Sequence, residues 1–337
     1  MYKCEIIADS LSPQGDRLTT FKITYPRIIH AEMCRHRTLS RNTASSRAIP
    51  FEKMVKDVQE NPFIPIAWQK NHKGMQGSEY LTDKMDIQRA EHRWLIAKTN
   101  AIEQAKVLAE GVGVTKQLCN RLLEPFVWTT ELVSGTSWEN FFELRCPKYK
   151  YKGEFFRSKK DCINSYTFKQ GFEDDKNYLT FLSDLDWLKI NQSQAEIHIQ
   201  KIAEMMWDCY NESTPKKLQA GEWHIPNLGH EWDIHKLISL LISGKYDDNN
   251  EITPDINEIK LKIATSHCAR ISYETLGDNP KVDYEADIKL HDRLLESRHL
   301  SCFEHCARAM SDEEYNTFIK GILSLSEIGT DIKKKKK

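Results

Sequence analysis

The chain has 337 residues, 40% of them hydrophobic, and its 48 Lys and Arg against 49 Asp and Glu leave a formal net charge of −1. That length and apolar content suffice for a real core, while the charge balance excludes a molecule-wide cationic surface for wrapping nucleic acid. No apolar run approaches the ~20 residues that span a bilayer, the opening MYKCEIIADS lacks the regions of a signal peptide, and nine scattered cysteines fit reduced thiols, so the expectation is a soluble, cytoplasmic protein with no membrane partner.

Residues 18–25, LTTFKITY, alternate with period two and are rich in Thr, Phe, Ile and Tyr, which predicts a half-buried strand. Pro26 then opens a helix, and the helical pattern from Ile28 to Cys34 delivers Arg35, His36 and Arg37 at its end. Apolar residues at helical spacing predict packed helices over 84–110, stopped by Gly111 and Gly113, and over 195–210. A helix over 137–144 would set Asn140 and Glu143 near one face and turn Phe141 and Phe142 into packing. Residues 284–297 predict another helix, with Ala286, Ile288, Leu290, Leu294 and Leu295 broadly on one side, and Ser311 to Glu314 reads as a capping box. The stretches 68–83 and 146–191 are polar and read as insertions. With no fixed repeat and no Pro/Ser linker, residues 1–332 are expected to form one domain of mixed α and β structure. Residues 333–337, KKKKK, read as a solvated tail.

Three clusters could carry chemistry. RHRTLSRNTASSR, residues 35–47, places Arg35, Arg37, Arg41 and Arg47 among Ser40, Asn42, Ser45 and Ser46. Four guanidiniums so close repel one another unless phosphate or carboxylate neutralises them, for which arginine's two-pronged geometry is suited; a solvated basic loop is the plainer alternative. CARISYE (268–274) and RHLSCFEHC (298–306) bring His299, Cys302, His305 and Cys306 together, with His267 upstream. Zinc must be considered there, but the spacing lacks paired CxxC knuckles, and packed His with buried free Cys explains the same letters; no metal is expected. The middle segment NRLLEPFVWTTELVSGTSWENFFELR (120–145) contains Arg121, Glu124, Asn140, Glu143 and Arg145, and reads equally as an ordinary amphipathic element. GEWHIP (221–226), with His224 beside Trp223, reads as packing.

Together these clusters resemble the flavin-dependent thymidylate synthases, whose signature is RHR, seven residues, then Ser: here Arg35-His36-Arg37, Thr38 to Ala44, then Ser45, with Arg47 two further on. The family's H-x-[ST]-x-FEH element is similar to His299 through His305, and its AR-x-S element to Ala269-Arg270-Ile271-Ser272. In the family those two elements come first, whereas here they come last, the pattern of a circular permutation. It implies that the chain after Met310 lies close to the strand beginning near Arg17.

The resemblance covers about 200 residues and implies an α+β fold with a mixed sheet flanked by helices, and a methyltransferase that converts dUMP to dTMP. It also implies FAD as cofactor, NADPH and 5,10-methylenetetrahydrofolate as co-substrates, and a homotetramer with shared sites. Arg121 and Arg145 match arginines that hold dUMP, joined by Arg35, Ser45, Ser46 and Arg47; Arg145 is the residue credited with favouring ionisation at the uracil N3. Arg35, His36, Arg37, Asn140, Ser272, Ser301 and Glu304 match flavin contacts, and His299 would sit beside the flavin ring as a catalytic residue. Ser45 as a nucleophile has no base placed beside it by the sequence, so binding is preferred. Departures fall at Glu32, Thr43, Ala48 and Cys302, where the family often has Gln, Glu, Tyr and Pro. They keep a sister reaction, such as 5-hydroxymethylation, and a non-catalytic nucleotide- or RNA-binding module as alternatives.

Overall fold

The alternating segment expected at 18–25 becomes the central strand of a sheet. In the computed structural model, which describes residues 1–74, 77, 79–151, 153–167, 180, 182–190, 195–226, 232–243, 256–274 and 283–319, β1 (Lys3–Leu11), β2 (Arg17–Pro26), β3 (Ser40–Thr43) and β4 (Trp128–Gly135) lie in the order β3-β4-β2-β1. These four run antiparallel, and Lys216–Lys217 adds a short parallel edge to β1, so the sheet is mixed. Gly15, at φ 92°, makes the turn between β1 and β2, a conformation glycine adopts without a Cβ penalty.

The pleat separates two faces. Phe21, Ile23, Tyr25 and Val133 point to one, buried under Ile199, Ile202, Ala203 and Met206 of the Ile197–Glu212 helix and under Phe141 and Phe142 of the Glu139–Arg145 helix. Each such side chain contributes about 1.5–3 kcal/mol by leaving water. On the opposite face Leu132 packs with Cys268, Ile271 and Cys302, all from the last quarter of the chain. The Lys84–Lys106 helix starts at Asp83, whose carboxylate accepts from Met85 N and Asp86 N, and its π-helical extension, Val107–Val112, ends at Gly113 with φ 80°.

The two polar stretches hold more packing than their composition suggests. Tyr80 from the first packs with Phe156, Cys162, Trp187 and Leu188 from the second, against Ile197. Scattered large apolar side chains thus form a small core inside segments that read as solvated. The Tyr284–Glu296 helix buries Tyr284, Asp287 and Ile288, but Leu295, expected on the buried side, is 53% exposed at the helix's penultimate position. Ser311 and Glu314 bond reciprocally, Ser311 N to Glu314 Oε2 and Glu314 N to Ser311 Oγ, as a capping box does.

The chain after Met310 lies against the turn leading into β2. Gln14 Nε2 donates to Met310 O at 3.2 Å and to Asp312 Oδ1 at 2.9 Å, and Tyr315 and Phe318 line one cavity with Asp16 and Leu18. That proximity is the one a permuted chain requires. Among the described residues no helix is long and apolar enough to cross a membrane; residues 333–337 lie outside the described residues.

Candidate functional site

The arginine loop leaves a short helix, His30–Met33, and passes into β3 at the edge of the sheet. Three residues of that loop, His36, Asn42 and Ser45, meet segments more than one hundred positions away. Arg145, at the end of the Glu139–Arg145 helix, donates from Nε to His36 Nε2 at 2.9 Å, and its Nη2 lies 3.4 Å from Glu32 O. His36 is 5% exposed and sits edge-on to Phe141. Burial, with Arg145 and Arg41 beside it, lowers the His36 pKa to about 4. The ring is therefore neutral, with its proton on Nδ1 and Nε2 accepting.

Arg145 is itself lowered from the ordinary arginine value, by burial first and by the Arg35 charge next. Among the described residues neither Arg35, Arg37, Arg41 nor Arg145 has a carboxylate within ion-pair distance. Arg41 donates to His36 O and to Leu39 O, yet its Nε is buried without a partner. Glu32 acts on Arg145 and Glu131 on Arg41 only from beyond ion-pair distance, so the guanidiniums keep a local excess of positive charge that suits an anionic ligand.

The second meeting joins the two ends of the chain. Ser45 N donates to Ser272 Oγ at 2.8 Å, and Asn42 Nδ2 donates to Cys268 O at 3.2 Å. Since Ser272 accepts from the backbone, its own proton remains available to donate. Arg270, two residues earlier in the turn after the Ile256–Ala269 helix, instead forms an ion pair with the buried Asp287 at 2.6 Å and so ties that turn to the Tyr284–Glu296 helix. The Leu300–His305 turn packs against β3 and against the Ile256–Ala269 helix. It turns Cys302 and His305 inward and leaves Ser301 and Glu304 exposed.

Further along the loop, Ser46 donates to Glu124 Oε1 at 2.6 Å, and Arg47 Nε donates to Gln117 Oε1 at 3.2 Å, leaving the Arg47 terminal nitrogens for other partners. Asn120 Nδ2 holds Ser46 O and Ile49 O, which fixes the loop against the Asn120–Phe126 turn that carries Arg121. Arg37, Arg121, Asn140 and His299 have exposed side chains. The structure thus brings Arg35, His36 and Arg145 together, and Ser45 with Ser272. No hydrogen bond joins His299 to that group among the described residues.

Two networks around the site were not singled out from the sequence. Glu131, fully buried on β4, accepts from Tyr25 Oη and Thr43 Oγ1, both at 2.7 Å. Its signal was a carboxylate inside the apolar run WTTELVSG, which requires donors. The other is a buried chain: Ser10 Oγ to His224 Nδ1 at 2.5 Å, His224 Nε2 to Thr20 Oγ1 at 2.9 Å, Thr20 to Ser134 at 2.6 Å, and Ser134 to His305 Nδ1 at 2.7 Å.

No protein-family model matches the chain, and no curated protein does. Among solved structures it is similar to the UMP/dUMP methylase PolB from Streptomyces cacaoi bound with 5-Br UMP, at 15% identity over 63% of this chain and 90% of that one, TM-score 0.41. It is also similar to Thymidylate Synthase X (ThyX) from Helicobacter pylori with FAD and dUMP, at 14% identity over 57% of this chain and 73% of that one, TM-score 0.22.

Proposed function

We propose that the chain is a flavin-dependent enzyme that methylates dUMP at C5, with methylenetetrahydrofolate as carbon donor and NADPH as reductant. The observation that carries this reading is the contact of Arg145 with His36, next to Arg35, with no carboxylate of the chain in ion-pair reach of either arginine among the described residues. The same surplus of positive charge, with the unpartnered Arg41 Nε, fits the diphosphate of a flavin dinucleotide. Arg35, His36, Arg37, Asn140, Ser272, Ser301 and Glu304 are the residues that would hold it. When bound, the flavin supplies the redox chemistry.

The chain's own residues supply binding and electrostatics. A guanidinium at Arg145 stabilises negative charge on the pyrimidine ring at N3, which enriches C5 in electrons so that it can attack a methylene carbon. Neutral His36 is suited to orienting that guanidinium, because an imidazolium would repel it. The nucleotide phosphate falls to Arg47, Arg121 and the Ser45 hydroxyl. Ser46 gives its proton to Glu124 and can only accept until that bond breaks. His299 and the exposed Arg37 would complete the site from a neighbouring subunit of a homotetramer.

The test is direct. Purified protein incubated with dUMP, methylenetetrahydrofolate, FAD and NADPH should yield a nucleotide whose mass is that of thymidylate; a product heavier by one oxygen would identify hydroxymethylation instead. Arg145→Ala should lower kcat by a factor of about 10²–10³, the range for loss of one electrostatic stabiliser, while the flavin spectrum is retained. Unchanged turnover would remove the role given to Arg145.

A further inference from the structure

The residue before His299 carries a strained backbone. Arg298 sits at φ 55°, the one residue other than glycine with positive φ among the described residues. It closes the Tyr284–Glu296 helix: Arg298 N donates to Leu295 O at 3.1 Å and His299 N donates to Leu294 O at 2.8 Å, the paired bonds of a Schellman turn. The left-handed position of such a turn is commonly glycine, because a Cβ there crowds the neighbouring carbonyl. The Val107–Val112 extension ends in that way on Gly113, at φ 80°.

No contact of the Arg298 side chain offsets this steric cost. The residue is exposed, and its guanidinium has no hydrogen bond and no ion pair among the described residues. Its surroundings nevertheless hold the backbone in place. Beyond the bond from His299 N, Cys302 Sγ donates to His299 O at 3.4 Å, so His299 is fixed from both sides. The Leu300–His305 turn that follows packs against β3, the strand into which the arginine loop runs. Arg298 cannot relax without releasing His299 from that arrangement. A strained residue that its neighbours maintain, and whose side chain the fold does not use, points to a task for the side chain itself.

The charges already placed narrow that task. The proposed reaction gives the flavin diphosphate to the arginine loop and the nucleotide phosphate to Arg47 and Arg121. What must still arrive in turnover is a co-substrate, and both co-substrates carry oxyanions, which a guanidinium holds by two parallel N–H bonds. We propose that Arg298 is a further binding residue of the site and takes an oxyanion of the co-substrate that docks beside His299, a phosphate of the nicotinamide dinucleotide or a carboxylate of the folate. The inference rests on the proposed reaction, which puts His299 in the site.

The test is a calorimetric titration of the FAD-loaded full-length protein with NADP⁺ in one arm and tetrahydrofolate in the other. Arg298→Asn keeps a residue that tolerates the left-handed backbone and drops the charge, so at least one arm should weaken by about tenfold or more. Arg298→Lys, which keeps the charge, should recover part of that loss. An arm that weakens names the source of the oxyanion. Arg298→Gly should lose the same binding while its urea midpoint stays at or above that of the unaltered protein, since the turn is relieved of its Cβ. A lower midpoint in Arg298→Gly would show that the side chain serves the fold, and equal affinities for both ligands in Arg298→Asn would show that it meets neither; each result overturns the proposal. Unaltered protein that binds neither ligand would overturn it together with the proposed reaction. A weakened arm in protein that forms no methylated nucleotide would remove the reaction alone.

Discussion

A single hydroxyl, that of Ser272, fixes how the two ends of the chain meet in the site. It accepts the Ser45 N–H at 2.8 Å and is itself 7% exposed, so Ser272→Ala leaves a partly buried donor without a partner. Such a loss costs about 1–3 kcal/mol. Because the bond positions the start of the Ser45–Arg47 turn and does not reach Arg145, the expected result, measured by steady-state kinetics with FAD saturating so that weaker flavin binding through Ser272 does not enter, is a higher KM for dUMP with kcat little changed. A fall in kcat at constant KM would show that Ser272 acts on the reacting ring. The adjacent hydroxyls of Ser45 and Ser46 differ likewise, because Ser46 already has Glu124 as its acceptor.

At the scale of elements, the Ile197–Glu212 helix covers the sheet and carries two carboxyls into low dielectric. Burial raises Glu204 to about 7 and Asp208 to about 6; Glu204 Oε1 accepts from Lys159 N, while Oε2 has no partner. A carboxyl raised in the folded state binds protons that the unfolded chain has already lost, so its stabilising effect is complete below about pH 4.5 and disappears as pH rises through 7. Urea midpoints should therefore fall between pH 6 and 8, and Glu204→Gln, which keeps the acceptor for Lys159, should flatten that slope. An identical slope in the variant would reassign the titration. This helix, β2 and the Lys84–Lys106 helix were legible in the sequence because their buried faces repeat with the period of the element. β3, Ser40–Thr43, was not: all four of its residues are half-exposed, and pairing with β4 and the bonds to Glu131 and Cys268 hold it in place. The site was legible as a set of residue types, through Arg35, His36 and Arg145. Its wiring was not, since the His36–Arg145 bond spans 109 positions and no local pattern encodes it.

Across the whole molecule, the first and last parts of the chain share one buried polar seam. Ser134 of β4 bonds Thr20 of β2 and His305 of the Leu300–His305 turn, and Thr20 bonds His224, whose other nitrogen meets Ser10 of β1. His224, whose sequence context predicts packing, is 3% exposed within this seam, where its ring also serves as a hydrogen-bond partner on both sides. Burial lowers His224 and His305 to about 4, so both are neutral when folded. A histidine lowered in this way contributes stability that is full above about pH 6.5 and is lost as pH falls toward 4, opposite in sign to the effect of Glu204 and Asp208. Stability should therefore peak near pH 6. Ser134→Ala removes the seam's central member and leaves Thr20 and His305 each short of a buried partner, a cost of about 2–3 kcal/mol. If the two ends fold as one unit, the loss appears as a lower urea midpoint shared by circular dichroism and tryptophan fluorescence, since Trp138 lies under the sheet and Trp232 beside Tyr284. Separate transitions for the two probes would mean that the last quarter of the chain docks on an already stable sheet, and Ser134 would then matter only to the docking.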